Sequence, residues 1–196
     1  RVGSSTITMT HPVRRIGLIG DVHHEDKTLE LVLSLFDSMN LDLTLCTGDI
    51  ADGIGDFERC CHLLREREVD VVRGNHDRWI LADTARTLTN ALPTEALTQQ
   101  DRLWLQGLPG TREYDTIAGK LLLGHGVGKD DMSKITPDDF GYDLQVNKEL
   151  QRVLEERRFR LLIAGHSHRR MVRTIEGLTI VSPARSPSTR PPVVPC

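Results

Sequence analysis

Seven side chains with oxygen or imidazole donors stand out in this sequence: Asp21, His23, Asp49, Asn75, His125, His166 and His168. None is a thiolate. Such donors suit manganese first, with iron, zinc, nickel or cobalt as other choices, and magnesium is less suited to so many imidazoles. Seven ligands are too many for one tetrahedral ion and match two divalent ions that share a carboxylate. Asp49 is the natural bridge, because it lies between the other groups and a carboxylate has two oxygens. Two divalent ions, set against two carboxylates and a bridging hydroxide, leave a site of net positive charge. Such a site attracts an anion and counters charge in an in-line displacement at phosphorus. Ions about 3.5–4 Å apart bind phosphoryl oxygens and lower the pKa of a bridging water, which then attacks. The leaving alkoxide still needs a proton. His76, beside Asn75, is near such a site yet free to act as general acid. Asp52, three residues after Asp49, is placed to orient or charge that imidazole. The alternative for Asp52 is an ordinary turn residue.

The donors fall where a fold would gather them. Arg15–Gly20, Leu41–Thr47 and Val69–Arg73 read as strands, with helices expected over Thr28–Met39 and Asp56–Glu66. Arg78–Leu92 reads as helical up to Pro93, and Thr98 can cap a short helix through Leu105. This β-α-β-α-β order implies a parallel sheet with crossover helices. Thr111–Ile117 and Lys120–Gly124 read as a hairpin about Ala118–Gly119. A loop, Gly126–Gly141, follows, in which Thr136–Pro137 could open a helical turn. Leu144–Arg157 is helical by spacing. Arg160–Ala164 is a further strand, and Met171–Ile175 with Leu178–Val181 form a second hairpin. Every candidate donor lies just after a strand, and ligand crevices of open α/β sheets lie outside the carboxyl ends of strands. A lone Asp there is ordinarily a cap or turn residue, and Asn75 could be a turn residue with positive φ. The joint occurrence at five strand ends is what argues for a site.

Composition narrows the class. The 196 residues are 38% hydrophobic and 27% charged, as in a soluble globular chain. We expect one domain over residues 13–182, a tag or disordered N-terminus over 1–12, and a Pro/Arg-rich tail over 183–196. No apolar run is long enough for a membrane span, and Arg1–His11 shows no secretory signal. Cys46, Cys60, Cys61 and Cys196 form no C-x-x-C pair, and Cys46 is expected to be a buried free thiol. A reducing cytoplasm is the expected location. The net charge of −3 hides an asymmetry: residues 1–150 carry 16 basic and 25 acidic side chains, residues 151–196 nine arginines and three acids. Arg169, Arg170 and Arg173 follow the last histidine pair, and Arg169 is the candidate contact to an anionic substrate.

Asp21-Val-His23, Gly48-Asp49, Gly74-Asn75-His76-Asp77, Gly124-His125-Gly126 and Gly165-His166-Ser167-His168, in this order, resemble the motifs of the calcineurin-like metallophosphoesterases, in a small bacterial form. The resemblance implies an α/β fold of two mixed β-sheets sandwiched between helices. It implies one metal on Asp21, His23, Asp49 and His168, and a second on Asp49, Asn75, His125 and His166, with His76 as catalytic histidine. Asp21 and His23 would point the same way from an extended segment, and His166 and His168 would part at a bend near Ser167. Two stretches depart from the family pattern. Gly48–Gly53 keeps Asp52 but lacks the arginine that follows it in family protein phosphatases. Ser182-Pro183-Ala184-Arg185 only partly fits the Asn-Pro-Gly-Ser of small members, and Arg185 is read as a tail residue, with reach into the site as the alternative.

The expected activity is hydrolysis of phosphomonoesters or phosphodiesters of a small molecule or nucleotide. The alternatives are a non-catalytic binding or scaffold protein on the same fold, and a nuclease. A nuclease wants a basic groove and stacking aromatics, which an acidic first part and 4% aromatic residues do not provide.

Overall fold

A computed structural model describes residues 12–185. The expected N-terminal tag, most of the Pro/Arg-rich tail, and Cys196 lie outside the described residues. The element order is β1 (Ile16–Ile19), α1 (Asp26–Asp37), β2 (Leu43–Cys46), α2 (Phe57–Glu66), β3 (Asp70–Val71), α3 (Asn75–Leu81), α4 (Gln99–Gly107), β4 (Thr111–Thr116), β5 (Gly119–Gly124), α5 (Tyr142–Val146), α6 (Lys148–Glu156), β6 (Leu161–Ala164), β7 (Met171–Ile175) and β8 (Leu178–Ser182). A 3₁₀ turn, Thr94–Ala96, precedes α4.

Two sheets result. The first is parallel, in the order β1-β2-β3; the second is mixed, in the order β4-β5-β6-β8-β7. The antiparallel pairs of the second sheet are the two hairpins expected from sequence. Strand alternation decides what each sheet buries. Leu45, Leu121, Leu123 and Ile163 face one another between the sheets, with Ile16, Leu18 and Leu161 beside them. The opposite sides take the helices. Ile19 and Cys46 meet Leu29 and Leu33 of α1 and Leu64 of α2, while Leu122 and Leu162 meet Leu150 and Val153 of α6. The result is a four-layer stack of helices, sheet, sheet and helices. Strands buried on both sides read as continuous apolar runs, which is why RIGLIG and LLLG carry no polar alternation. Cys46, Cys60 and Cys61 are free and fully buried in the layer between the first sheet and its helices.

Three expectations fail where side-chain hydrogen bonds compete with a helix. The helix expected over Arg78–Leu92 stops at Leu81. Beyond it Asp83, Ala85 and Asn90 take left-handed backbone, and Arg86 and the Leu92 N–H are drawn to Asp52 at 2.8–2.9 Å. The helix expected over Leu144–Arg157 is split into α5 and α6 at Asn147. The Asn147 side chain caps Leu150 N at 3.0 Å and donates to Lys134 O at 3.0 Å, so it prefers a cap and a loop contact to helix continuation. Thr136–Pro137 opens a turn without a helix.

Candidate metal centre

All seven candidate donors converge at the carboxyl ends of β1, β2, β5 and β6 and at the start of α3. Ligand atoms of Asp21, His23, Asp49 and His168 lie within 4.8 Å of one another, and so do those of Asp49, His125 and His166. Asn75 joins the second group through its Oδ1, 2.8 Å from His125 Nε2 and 2.9 Å from His166 Nδ1. The two groups meet at a single atom. Asp49 Oδ2 is 3.7 Å from His23 Nε2 and 3.3 Å from His125 Nε2. Asp49 Oδ1 instead accepts the backbone N–H of His76 at 2.8 Å. A bridging carboxylate can give one oxygen to each ion; here one oxygen turns toward both groups and the other is spent on the first turn of α3.

The loops that carry these donors are tied to each other by hydrogen bonds. His23 N and Val22 N donate to Asp49 O at 2.8 and 3.1 Å. Asp77, fully buried, accepts Ile50 N, Ala51 N and Gly74 N at 2.9–3.0 Å, and so staples the loop after β2 to the start of α3. Burial, with the charge of Asp49 beside it, pushes the Asp77 carboxyl up. Asp21 accepts Thr47 Oγ1 at 2.8 Å and His166 N at 2.9 Å, joining β1 to the far sheet. Glycine is obligatory where the loops touch: a Cβ on Gly74 would sit 2.1 Å from Asp49 Oδ1, and one on Gly165 2.2 Å from Asp21 Oδ1.

Backbone conformation differs from the extended segment expected at Asp21–His23. His23 has φ 45°, and Asp49, Asp52, His166 and His168 also take left-handed φ values of 46–63°. Asp and His tolerate that region better than bulkier residues, and such conformations concentrate at functional sites. The left-handed turns at His166 and His168 supply the bend that the last motif requires.

The donor set fits divalent ions on its own chemistry. His125 Nδ1 lies 2.8 Å from Thr47 O and His23 Nδ1 2.8 Å from Asp52 O. A carbonyl only accepts, so each Nδ1 carries a proton, and in the neutral ring each Nε2 would then be the lone-pair donor, the usual arrangement behind a metal-ligating histidine. His23 Nε2 and His168 Nε2 face each other at 3.2 Å, close enough for both to ligate one cation. Burial, with the arginine charge at position 185 adding to it, depresses the His23 pKa against the pull of Asp49. Burial also acts against a charged His125, but its contacts with Asp49 outweigh it and raise the pKa, while Asp49 is held below its usual value.

His76 sits in the first turn of α3, its ring 5.0 Å from the His23 ring and 4.7 Å from Trp79. Its side chain is 21% exposed and can be reached from solvent. His76 Nδ1 is 2.8 Å from Asp52 Oδ2. Burial opposes a charged ring, but this hydrogen bond and the charges of Asp49 and Asp52 raise the pKa overall. Asp52 is therefore a partner of His76 in the structure as well as a turn residue with φ 63°.

Arg169 is not brought into the group: its guanidinium donates to Asp138 at 2.8 Å and is about half exposed. Arg86, Asp77 and Thr47 also serve the site and are not among the candidates read from sequence. Arg86 was hidden inside an expected helix; Asp77 was visible in the Gly-Asn-His-Asp motif. A separate cleft of about 490 Å³, lined by Asp130, Lys134, Val146, Glu149 and Arg152 among others, contains none of the donors.

The model of the calcineurin-like phosphoesterase superfamily domain matches residues 15–192, and the chain belongs to that superfamily. The fold is similar to a metallophosphoesterase from Sphaerobacter thermophilus at 21% identity and a TM-score of 0.60, covering 89% of this chain and 77% of that one. It is also similar to a novel archaeal phosphodiesterase, at 14% identity and 0.52 over 88% and 84% of the two chains. A third likeness is to a single mutant of Vps29 from Entamoeba histolytica, at 22% identity and 0.52 over 92% and 79%. No curated protein matches the sequence. Among the described residues, no helix is long and apolar enough to cross a membrane.

Proposed function

We propose that this member of the superfamily is a dinuclear metal-dependent hydrolase of phosphate esters. The observation that carries this reading is Asp49 Oδ2, which faces both donor groups at once. Asp21, His23, Asp49 and His168 would hold one ion, and Asp49, Asn75, His125 and His166 the other. Bound there, two divalent ions supply charge for phosphoryl oxygens and acidify water for attack on phosphorus; the mixed oxygen and imidazole set favours manganese. His76 protonates the leaving oxygen through Nε2, since Nδ1 is committed to Asp52. Asp52 fixes the ring and stabilises its charged form. Arg169 would contact substrate only by giving up Asp138. The substrate is a small phosphate ester or nucleotide, either mono- or diester, and the expected compartment is the cytoplasm.

The test is a panel of aryl monoesters, diesters, cyclic nucleotides and dinucleoside polyphosphates, run with Mn²⁺, Ni²⁺, Zn²⁺ and Mg²⁺. Metal-stimulated release of phosphate or alcohol is expected, and Asp49→Asn should abolish it. The likeness to Vps29 favours a second reading, a binding protein on this fold. A metal-loaded protein inert across the panel would select it. Against it stand the complete donor set and the paired His76.

A further inference from the structure

Arg86 makes an unusual number of fixed contacts for a residue on an irregular segment. Nη1 donates to Asp52 Oδ1 at 2.8 Å and to Leu92 O at 2.9 Å. Nη2 donates to Asp52 Oδ2 at 2.9 Å, and Nε to Thr84 O at 2.7 Å. Four of the five guanidinium N–H groups that an arginine carries are thereby used. Asp52 is equally saturated, since Oδ1 also accepts Leu92 N at 2.9 Å and Oδ2 also meets His76 Nδ1 at 2.8 Å. The two side chains are 16% and 2% exposed.

This arrangement has no slack. A carboxylate held only by His76 could rotate about its terminal torsion, which is broad and soft for aspartate. The planar fork of Arg86 removes that freedom, because a bidentate pair fixes the carboxylate plane as well as its position. The plane of Asp52 in turn sets the direction of the Nδ1–H bond and thus the aim of His76 Nε2. With its donors committed to protein acceptors, Arg86 is not built to bind phosphate. It supplies an arginine to Asp52 from a distant loop, where the Gly-Asp-Ile-Ala-Asp-Gly stretch has none.

We infer that Arg86 is a positioning residue that acts through Asp52 to hold the His76 ring in line with the metal centre. The inference rests on the reading of His76 as proton donor. The 82–92 segment is therefore part of the site, and its left-handed turns exist to bring Arg86 and Leu92 N to one carboxylate.

The experiment compares wild type, Arg86→Lys, Asp52→Asn and the double variant, each with Mn²⁺ and an aryl phosphate ester, alongside bound metal per chain. Lysine keeps the charge and loses the fork, so folding is retained where Arg86→Ala could fail. In Arg86→Lys, kcat should fall about tenfold or more, the scale of partners that orient a reactive group, with KM within about twofold and metal content unchanged. Added to Asp52→Asn, the same change should cost nothing further, as for residues that act as a unit. In Zn²⁺-loaded protein, which is diamagnetic, the His76 Nδ1–H proton resonance should be sharp in wild type and lost to exchange in Arg86→Lys. An unchanged kcat, a loss confined to KM, or full additivity with Asp52→Asn would overturn the inference. A wild type inert on every ester would sink the phosphoesterase reading instead, and the Nδ1–H resonance would still decide whether the clamp exists.

Discussion

The two sheets bring donors to one centre and hold them differently. Asp21, His23, Asp49 and Asn75 come from the three-stranded side and are all 1–3% exposed. Their loops are tied by Asp77 and by backbone hydrogen bonds that pass between the ends of β1 and β2. On the five-stranded side burial falls away along the chain. His125 is 1% exposed, His166 is half-buried, and the His168 side chain is 40% exposed. One wall is set before any ion arrives. The other ends in a rim where water competes for the ligand position.

The contrast can be broken in order of effect. Asp49→Asn removes the oxygen common to both groups, so both ions should be lost. Activity should fall by at least about a thousandfold, since each ion contributes several kcal/mol to the transition state; metal analysis and turnover check this together. His76→Ala should cost about 10²–10⁴-fold in kcat with both ions retained, as expected for a general acid. A variant that lost metal would show His76 to be a ligand rather than a donor of protons. His23→Ala and His168→Ala sharpen the comparison directly. Calorimetric titration with Mn²⁺ should show a larger loss of affinity for His23→Ala, because water can replace the exposed His168 but not a ring at 3% exposure. Equal losses would mean that burial does not rank the two walls.

Acid should unpick the three-stranded side through Asp52. Burial alone would raise its carboxyl, but His76, Arg86 and the Leu92 N–H together hold it well below the usual range. A folded pKa below the unfolded one means that the carboxylate stabilises the fold. That contribution is complete above the unfolded value of about 3.9 and is lost as pH falls through the folded one. Urea unfolding of the metal-free protein should lose stability over this acid range, and Asp52→Asn should flatten the slope. The smallest effect is reserved for the rim. Arg169→Ala removes an exposed ion pair and should change stability by no more than about 1 kcal/mol. A KM that rose severalfold would place Arg169 on the substrate after all.

The donors were legible because they recur together after five strands, each with glycine beside it. Strand and hairpin positions were legible from apolar runs and turns. What sequence could not show was decided by partners distant in the chain. The end of α3 depends on Asp52, more than thirty residues before Arg86, and periodicity over Arg78–Leu92 is blind to that pull. The break at Asn147 depends on Lys134 O and on the competition between capping and propagation. The left-handed turn at His23 has no glycine or turn pair to announce it, and the bonds from His23 N and His24 N to the loop after β2 impose it. Asp49 illustrates both cases: its role as the shared residue follows from order, while the choice of Oδ2 follows from an amide in α3.

Cys46, Cys60 and Cys61 lie in the helix-side core of the same sheet that carries Asp21 and Asp49. Burial raises all three thiols far above their ordinary range. A thiol that stays protonated is neither a ligand nor a nucleophile. The molecule thus keeps three sulfurs protonated and dry in the core behind its oxygen and imidazole donors. Peroxide reaching this core would find no thiolate to oxidise. The same sheet thus presents oxygen and nitrogen donors at its end and withholds sulfur on its helix side.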